Sequence, residues 1–330
     1  MLSFFKKTPA ARKSYNDCSG CSLCLLVCPV WRRSRDISLT PHGHAKAMQH
    51  GLSAADVAAS VEHCTLCMAC EPVCPENIDI IGMILELRHQ LDTPTWLHDL
   101  QARMQERAAR PVASAPSFST MLLPDQALHA RADILARIAV LLGSVPISDD
   151  DGSDISLALE SGTVIPEQRL QRFLSPLRQL KKIIVADGLL LRHLKQWLPK
   201  ANCIGLGEAL SGHADVRRGL RATDLYLIEP RAYHSDYQRL VKHYDRLRVA
   251  HGCTFNLDLQ RIAIPATARN LPQRLGLAAS NDDEQARWVL HGRNITRIVV
   301  ESLEERAALE KASGFPVVHM AELADDSAQF

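Results

Sequence analysis

The pattern Cys18-x-x-Cys21-x-x-Cys24-x-x-x-Cys28-Pro29 recurs as Cys64-x-x-Cys67-x-x-Cys70-x-x-x-Cys74-Pro75, and no other feature narrows the folding options of the chain as far. Eight of the ten cysteines fall between Cys18 and Cys74. Three thiolates at i, i+3 and i+6 can wrap three corners of an iron–sulfur cube. In two-cluster proteins the chain carries the fourth cysteine away to ligate the other cluster. On that rule cluster one takes Cys18, Cys21, Cys24 and Cys74, and cluster two takes Cys64, Cys67, Cys70 and Cys28. The expected cofactors are two [4Fe–4S] clusters, and Pro29 and Pro75 are expected to stop the chain and turn it away from the site. Structural zinc is the competing reading, because Cys-x-x-Cys pairs also bind zinc. Zinc needs only two such pairs per site. It leaves unexplained a third cysteine at the same interval and a fourth followed by proline, twice over.

Apolar residues flank both runs: Leu23, Leu25, Leu26, Val27 and Val30 the first, Leu66, Met68 and Val73 the second. Such cover excludes water and tunes potential. Arg32, Arg33 and Arg35 follow Cys28, whereas Glu71 sits inside the second run. The arginines read either as a solvated basic turn or as a docking point for an acidic partner. The start of the chain, Met1 to Lys7, has no apolar stretch of signal length, so clustered thiols favour metal over disulfides and a cytoplasmic location is expected. The longest apolar region, Ile134 to Ile147, is interrupted by Arg137 and falls short of the roughly 20 residues a spanning helix needs. No transmembrane segment is expected, and attachment at the inner membrane would go through a partner. Lys plus Arg total 38 against 37 Asp plus Glu, and aromatics are 5%, which argues against nucleic acid as a partner.

At 330 residues and 46% apolar composition, the chain is long enough for two domains of about 150 residues each. The expected fold class is α+β multidomain: an N-terminal α-helical ferredoxin domain followed by a parallel α/β domain. Residues 1–15 read as a mobile basic lead-in, 16–92 as the helical ferredoxin domain, 93–180 as a helical connector and 181–330 as the α/β domain. Helices are expected at Gly43–His50, at Ser53–Glu62 with Ser53 and Asp56 as an approximate capping box, and from Asn77 or Asp79 to about Leu91. Arg110 to Ser117 reads as a linker and Ser148 to Ser153 as an exposed acidic loop. Strands are expected at Lys182–Ala186, Cys203–Leu206, Asp224–Ile228, Arg297–Glu301 and Pro316–His319, with helices such as Tyr237–Arg248 and Asp282–His291 between them.

The 35 residues between Cys28 and Cys64 read as helical, a longer spacer than compact βαβ-type bacterial ferredoxins leave there. With Cys74-Pro75-Glu76-Asn77-Ile78-Asp79-Ile80, this segment resembles the iron–sulfur subunits of the heterodisulfide reductase C, anaerobic glycerol-3-phosphate dehydrogenase C and glycolate oxidase groups. It is also similar to the C-terminal half of succinate dehydrogenase iron–sulfur subunits. The resemblance covers about a quarter of the chain and fills all eight ligand positions. It implies a non-catalytic electron-transfer subunit that receives electrons from a flavoprotein dehydrogenase or electron-transferring flavoprotein. A quinone or other carrier, or a quinone-reducing partner at the membrane, would receive them. Several of those groups continue into a domain with paired Cys-Cys-Gly motifs. Here only Cys203 and Cys253 remain, neither beside a second cysteine, and Leu206 to Gly212 looks like a relict of that domain.

The weaker constellations are read chiefly as structural. Cys203 and Cys253 are expected to be buried, inert thiols; a metal site shared with His213 and His251 is the rival. His42, His44, His50 and His63 read as an exposed or capping set, with a proton-linked or haem-contacting role as the alternative. Gly205-x-Gly207 invites a nucleotide reading, but Leu210 stands where a third glycine belongs. Tyr233 to Tyr237 reads as a helix start with Ser235 as N-cap, with the lining of a pocket for a carrier as the alternative. Two other functions stay open: a reductase with its own substrate site in the α/β domain, and a zinc-stabilised scaffold.

Overall fold

The computed structural model describes residues 12–92, 94–110, 118–258, 260–280 and 282–326. The N-terminal part is built from short helices because its sequence alternates helix starters with cysteine turns. Pro29 occupies the first turn of the helix Pro29–Ser34, where its missing N–H costs nothing. It therefore opens a helix rather than ending one. Thr40 caps Pro41–Gln49 and Asp79 caps Ile80–His89, each side-chain oxygen accepting an orphan N–H, from Gly43 and Gly82 respectively. The expected helix after Ser53 is present in two pieces, a 3₁₀ turn Ala55–Val57 and a short α-helix Ala58–Val61. Ser53 and Asp56 bond each other's backbone N–H groups reciprocally. Val61, Ile81, Ile84 and Leu87 form the centre of this core. Residues 12–15, expected in the lead-in, are pinned: Lys13 exchanges backbone hydrogen bonds with Asn77 and Asp79.

Among the described residues, the rest of the chain carries seven strands in two wholly parallel sheets. β1 (Thr120–Leu123), β2 (Lys182–Val185) and β3 (Asn202–Gly205) run in the order β1-β2-β3. β4 (Asp224–Leu227), β5 (Thr254–Phe255), β6 (Arg297–Val300) and β7 (Val317–His319) run β5-β4-β6-β7. The strands are buried almost throughout, as parallel sheets covered on both faces must be. One continuous apolar core joins them, with Leu122, Ile184, Ile204, Tyr226 and Val299 from both sheets.

Three further expectations need correction. The 93–180 segment is not a purely helical connector, since β1 lies within it and pairs with β2 from Thr120↔Lys182 to Leu123↔Val185. Ser148 to Ser153 is not an exposed loop. Fully buried Arg169 bonds both Asp150 and Asp154, and Arg107 reaches Asp151, which folds the loop onto the helix Glu167–Leu177. Ser235 is not an N-cap: Glu229 and Pro230 start a helix earlier, at Pro230–Ser235, and the Ser235 hydroxyl donates to Ala232 O instead. Most of the Arg110–Ser117 linker lies outside the described residues. No helix among the described residues is long and apolar enough to cross a membrane.

The helical part and the α/β part share a close interface. Gly162, at φ +78°, ends the helix Ser153–Ser161, and a Cβ there would lie 2.3 Å from the Arg88 backbone. Arg88 itself donates to Glu160 O at 2.6 Å.

Candidate iron–sulfur centre

Cys18, Cys21, Cys24 and Cys74 line one cavity, and Cys28, Cys64, Cys67 and Cys70 line a second. Each cavity takes three cysteines from one run and the fourth from the other. The helix Leu23–Leu26 and the start of Pro29–Ser34 carry the chain from Cys24 in the first group to Cys28 in the second. The backbone turns left-handed on both sides of the second cysteine of each run. Gly20 and Ser22 flank Cys21 at φ +78° and +63°, and Leu66 and Met68 flank Cys67 at +52° and +62°. Left-handed conformations at buried Leu and Met cost on the order of 1–3 kcal/mol each and persist where the surroundings enforce them. Successive N–H groups turned this way form the concave, anion-accepting backbone found at iron–sulfur sites.

The donor set fits a cluster. Each group is four sulfurs backed by apolar side chains. Burial pushes the thiols of Cys24 and Cys28 up to about 12, and the neighbouring sulfurs push further in the same direction. Four thiolates in such a pocket need positive charge between them, which iron supplies. The two cavities differ in access. Cys21 is exposed and Cys18, Cys24 and Cys74 are half-buried, whereas in the second group Cys28, Cys64 and Cys70 are buried and Cys67 alone is half-buried.

The buried group owes its enclosure to three arginines and a histidine distant in sequence. Arg88 donates to Cys64 O at 2.7 Å and Val61 O at 3.1 Å. Arg231 donates to Thr65 O at 2.9 Å. His234 donates through Nδ1 to Cys67 O at 2.7 Å while its Nε2 accepts the Ala263 N–H, so the ring is a neutral Nδ1–H tautomer. Arg192 forks onto Glu71 at 2.6 and 3.1 Å and onto Asp79 at 2.7 Å. Burial alone would raise the Glu71 carboxyl, but Arg192 and Arg12 hold it below its ordinary range. Around the exposed group, Lys46 and Gln49 both donate to Cys18 O. Of these six residues the sequence points only to His234, within the Tyr233–Tyr237 stretch. The usable signal was a charge inside an otherwise apolar helix, as in Leu189-Leu190-Leu191-Arg192 and Leu85-Glu86-Leu87-Arg88.

The remaining candidates separate. Cys203 is buried in β3, and Cys253 is buried just before β5 in the other sheet, so the structure does not bring them together. His44 is fully buried and bonded to Ser60 Oγ at 3.0 Å, and His42 approaches Ser22 Oγ. Gly207 has a packing cause, because a Cβ there would meet the Glu301 carboxylate at 2.1–2.4 Å. A small crevice of about 50 Å³ lies at the carboxyl ends of β4 and β6, lined by Glu229, Arg231, Ser302 and Glu304 and, from the cysteine loop, Thr65 and Cys67. In sheet order β5-β4-β6-β7 this is the topological switch point, where open parallel sheets bind ligands.

No curated protein and no solved structure matches the chain. Residues 14–78, about a fifth of it, match the family model of a 4Fe-4S dicluster domain. All eight clustered cysteines, in two groups of four, lie inside that span, and the match to a 4Fe-4S dicluster domain supports an iron–sulfur electron-transfer role for residues 14–78.

Proposed function

We propose that the protein relays single electrons through two [4Fe–4S] clusters, one held by Cys18, Cys21, Cys24 and Cys74, the other by Cys28, Cys64, Cys67 and Cys70. The observation that carries this is the crossed grouping, one foursome open at Cys21 and the other enclosed by the α/β part. When bound, such clusters take up and release one electron at a time. The chain's own part is to fix the sulfurs, exclude water from the inner group through Leu66 and Met68, and hold positive charge near it with Arg88, Arg192 and Arg231. Bond-making on an organic substrate would then belong to a flavin in another subunit. The electron donor in this reading is a flavoprotein dehydrogenase or electron-transferring flavoprotein, and the acceptor a quinone or other carrier. The subunit type is that of the heterodisulfide reductase C and anaerobic glycerol-3-phosphate dehydrogenase C groups without the Cys-Cys-Gly motifs. Coulometric titration of anaerobic protein tests it: two electrons per chain taken up reversibly support the relay, and none taken up refutes it.

The crevice beside Cys67 favours one rival, an iron–sulfur reductase with its own site in the α/β part. Dithionite-reduced protein reoxidised by small quinones or disulfides at a rate abolished by Thr65→Val and by Arg274→Met, a second arginine lining the crevice, would support that rival. Reoxidation rates unchanged by both substitutions would remove it.

A further inference from the structure

Beside the Cys24–Cys28 strut lies an open groove of about 350 Å³, walled on one side by Leu25, Leu26, Arg32, Arg33 and Arg35 and on the other by Trp288. We infer that this groove docks the acidic surface of an electron-transferring flavoprotein. This rests on the relay reading above and assigns it a face.

Four observations point there. Leu26 is 65% exposed and Trp288 43%, in a chain with few aromatics, so large apolar groups are presented to solvent where burial would be favourable. Three arginines face one carboxylate, Glu284, among the lining residues, although the whole chain is nearly neutral at +1. The Arg32 guanidinium is stacked 3.4 Å from the centre of the Trp288 ring, and its Nη1 is buried without a hydrogen-bond partner. A solvated basic turn would leave these side chains in water. Here one cation is fixed on the groove wall against the Trp288 ring, so its charge meets an incoming carboxylate already ordered. Finally, the groove backs onto sulfur: Leu25 adjoins Cys24, and the Arg32 N–H donates to Cys28 O at 3.1 Å, so one wall touches the strut between the two foursomes. A rim of charge around exposed leucine and tryptophan is the arrangement that steers encounter and then seals it.

The transfer is one electron with no bond made or broken: the flavin of the partner loses it and a [4Fe–4S] cluster gains it, or the reverse. The test uses anaerobic protein carrying its clusters, with flavodoxin as an acidic flavoprotein probe. It is mixed in a stopped-flow cell in whichever direction a prior redox titration shows to be downhill. Wild-type rates should fall steeply with added salt. The Arg32→Ser/Arg33→Ser/Arg35→Ser variant should lose about tenfold or more at low salt and most of the salt dependence. Trp288→Ala, which leaves the arginines and the apolar cover of the cysteines in place, should slow transfer as well. Iron content and reduction by dithionite should be unchanged in both variants. A wild-type rate indifferent to salt, or a triple variant as fast and as salt-dependent as wild type, overturns the docking face. Clusters that dithionite itself cannot reduce would instead overturn the relay.

Discussion

Glu71 sits between two sulfur ligands in the sequence and has a purely electrostatic position in the fold. Its buried carboxylate accepts from Arg192 and from the Ile81 N–H at 3.0 Å, and it also contacts Arg12. Replacing it by Gln would leave Arg192 buried with half its counter-charge. A broken buried pair costs about 3–5 kcal/mol, so chemical denaturation of Glu71→Gln should show a loss of that order. A loss below about 1 kcal/mol would mean that the arginine finds water. The cysteines give a sharper test of pairing. If the ligands cross between runs, Cys74→Ala and Cys21→Ala should remove the same EPR signal, and Cys28→Ala and Cys64→Ala the other. Loss of one signal by Cys28→Ala together with Cys21→Ala would contradict the grouping. Every cysteine in this scheme was legible in the sequence because its spacing is set by the cluster. The clamps were not, since Arg192, Arg231 and His234 meet the cysteine loop only through tertiary folding.

At the scale of elements, strands rich in β-branched residues announced themselves, as Lys182-Ile183-Ile184-Val185 and Arg297-Ile298-Val299-Val300 show. β1 did not, because Thr120-Met121-Leu122-Leu123 suits a helix equally well and only pairing with β2 decides it. β5 is two residues long and carries no pattern to read. The Gly205-x-Gly207 pair, where β3 passes into the helix Leu206–Ser211, illustrates a local signal with a distant cause. Its second glycine makes room for Glu301 at the end of β6, whose carboxylate accepts from the Tyr226 and Tyr244 hydroxyls at 2.7 Å and from the Glu229 N–H. Burial pushes Glu301 up to about 7. A carboxyl raised in the folded state binds its proton more tightly there than in the unfolded chain. Its contribution is complete below the unfolded value of about 4.3, falls as pH rises, and is gone above about 7, on the order of 3 kcal/mol in total. Urea titrations from pH 4.5 to 8 should show that decline in the wild type, with Glu301→Gln flatter by this amount. Parallel curves for the two proteins would show that the carboxyl is ionised throughout.

At the scale of the molecule, the α/β part acts as a wall as well as a platform. Its helices Gly188–Trp197 and Pro230–Ser235 supply Arg192, Arg231 and His234 to one cysteine loop, while the other foursome keeps Cys21 at the surface. The two clusters should therefore differ in lability. Under air and a chelator, the signal tied to Cys21 should decay several-fold faster than the one tied to Cys64, followed by EPR on timed samples; equal decay would contradict the enclosure. The overall division, helical cysteine domain then parallel α/β, was readable from spacing and strand pattern. The presence of two sheets and their shared core was not, because which strands pair is decided by packing that no short segment encodes. The most direct test of the whole is iron and acid-labile sulfide per chain on anaerobically purified protein, with EPR before and after dithionite. About eight of each, with interacting signals that appear on reduction, is the predicted result. Zinc in place of iron, with no sulfide, would contradict it.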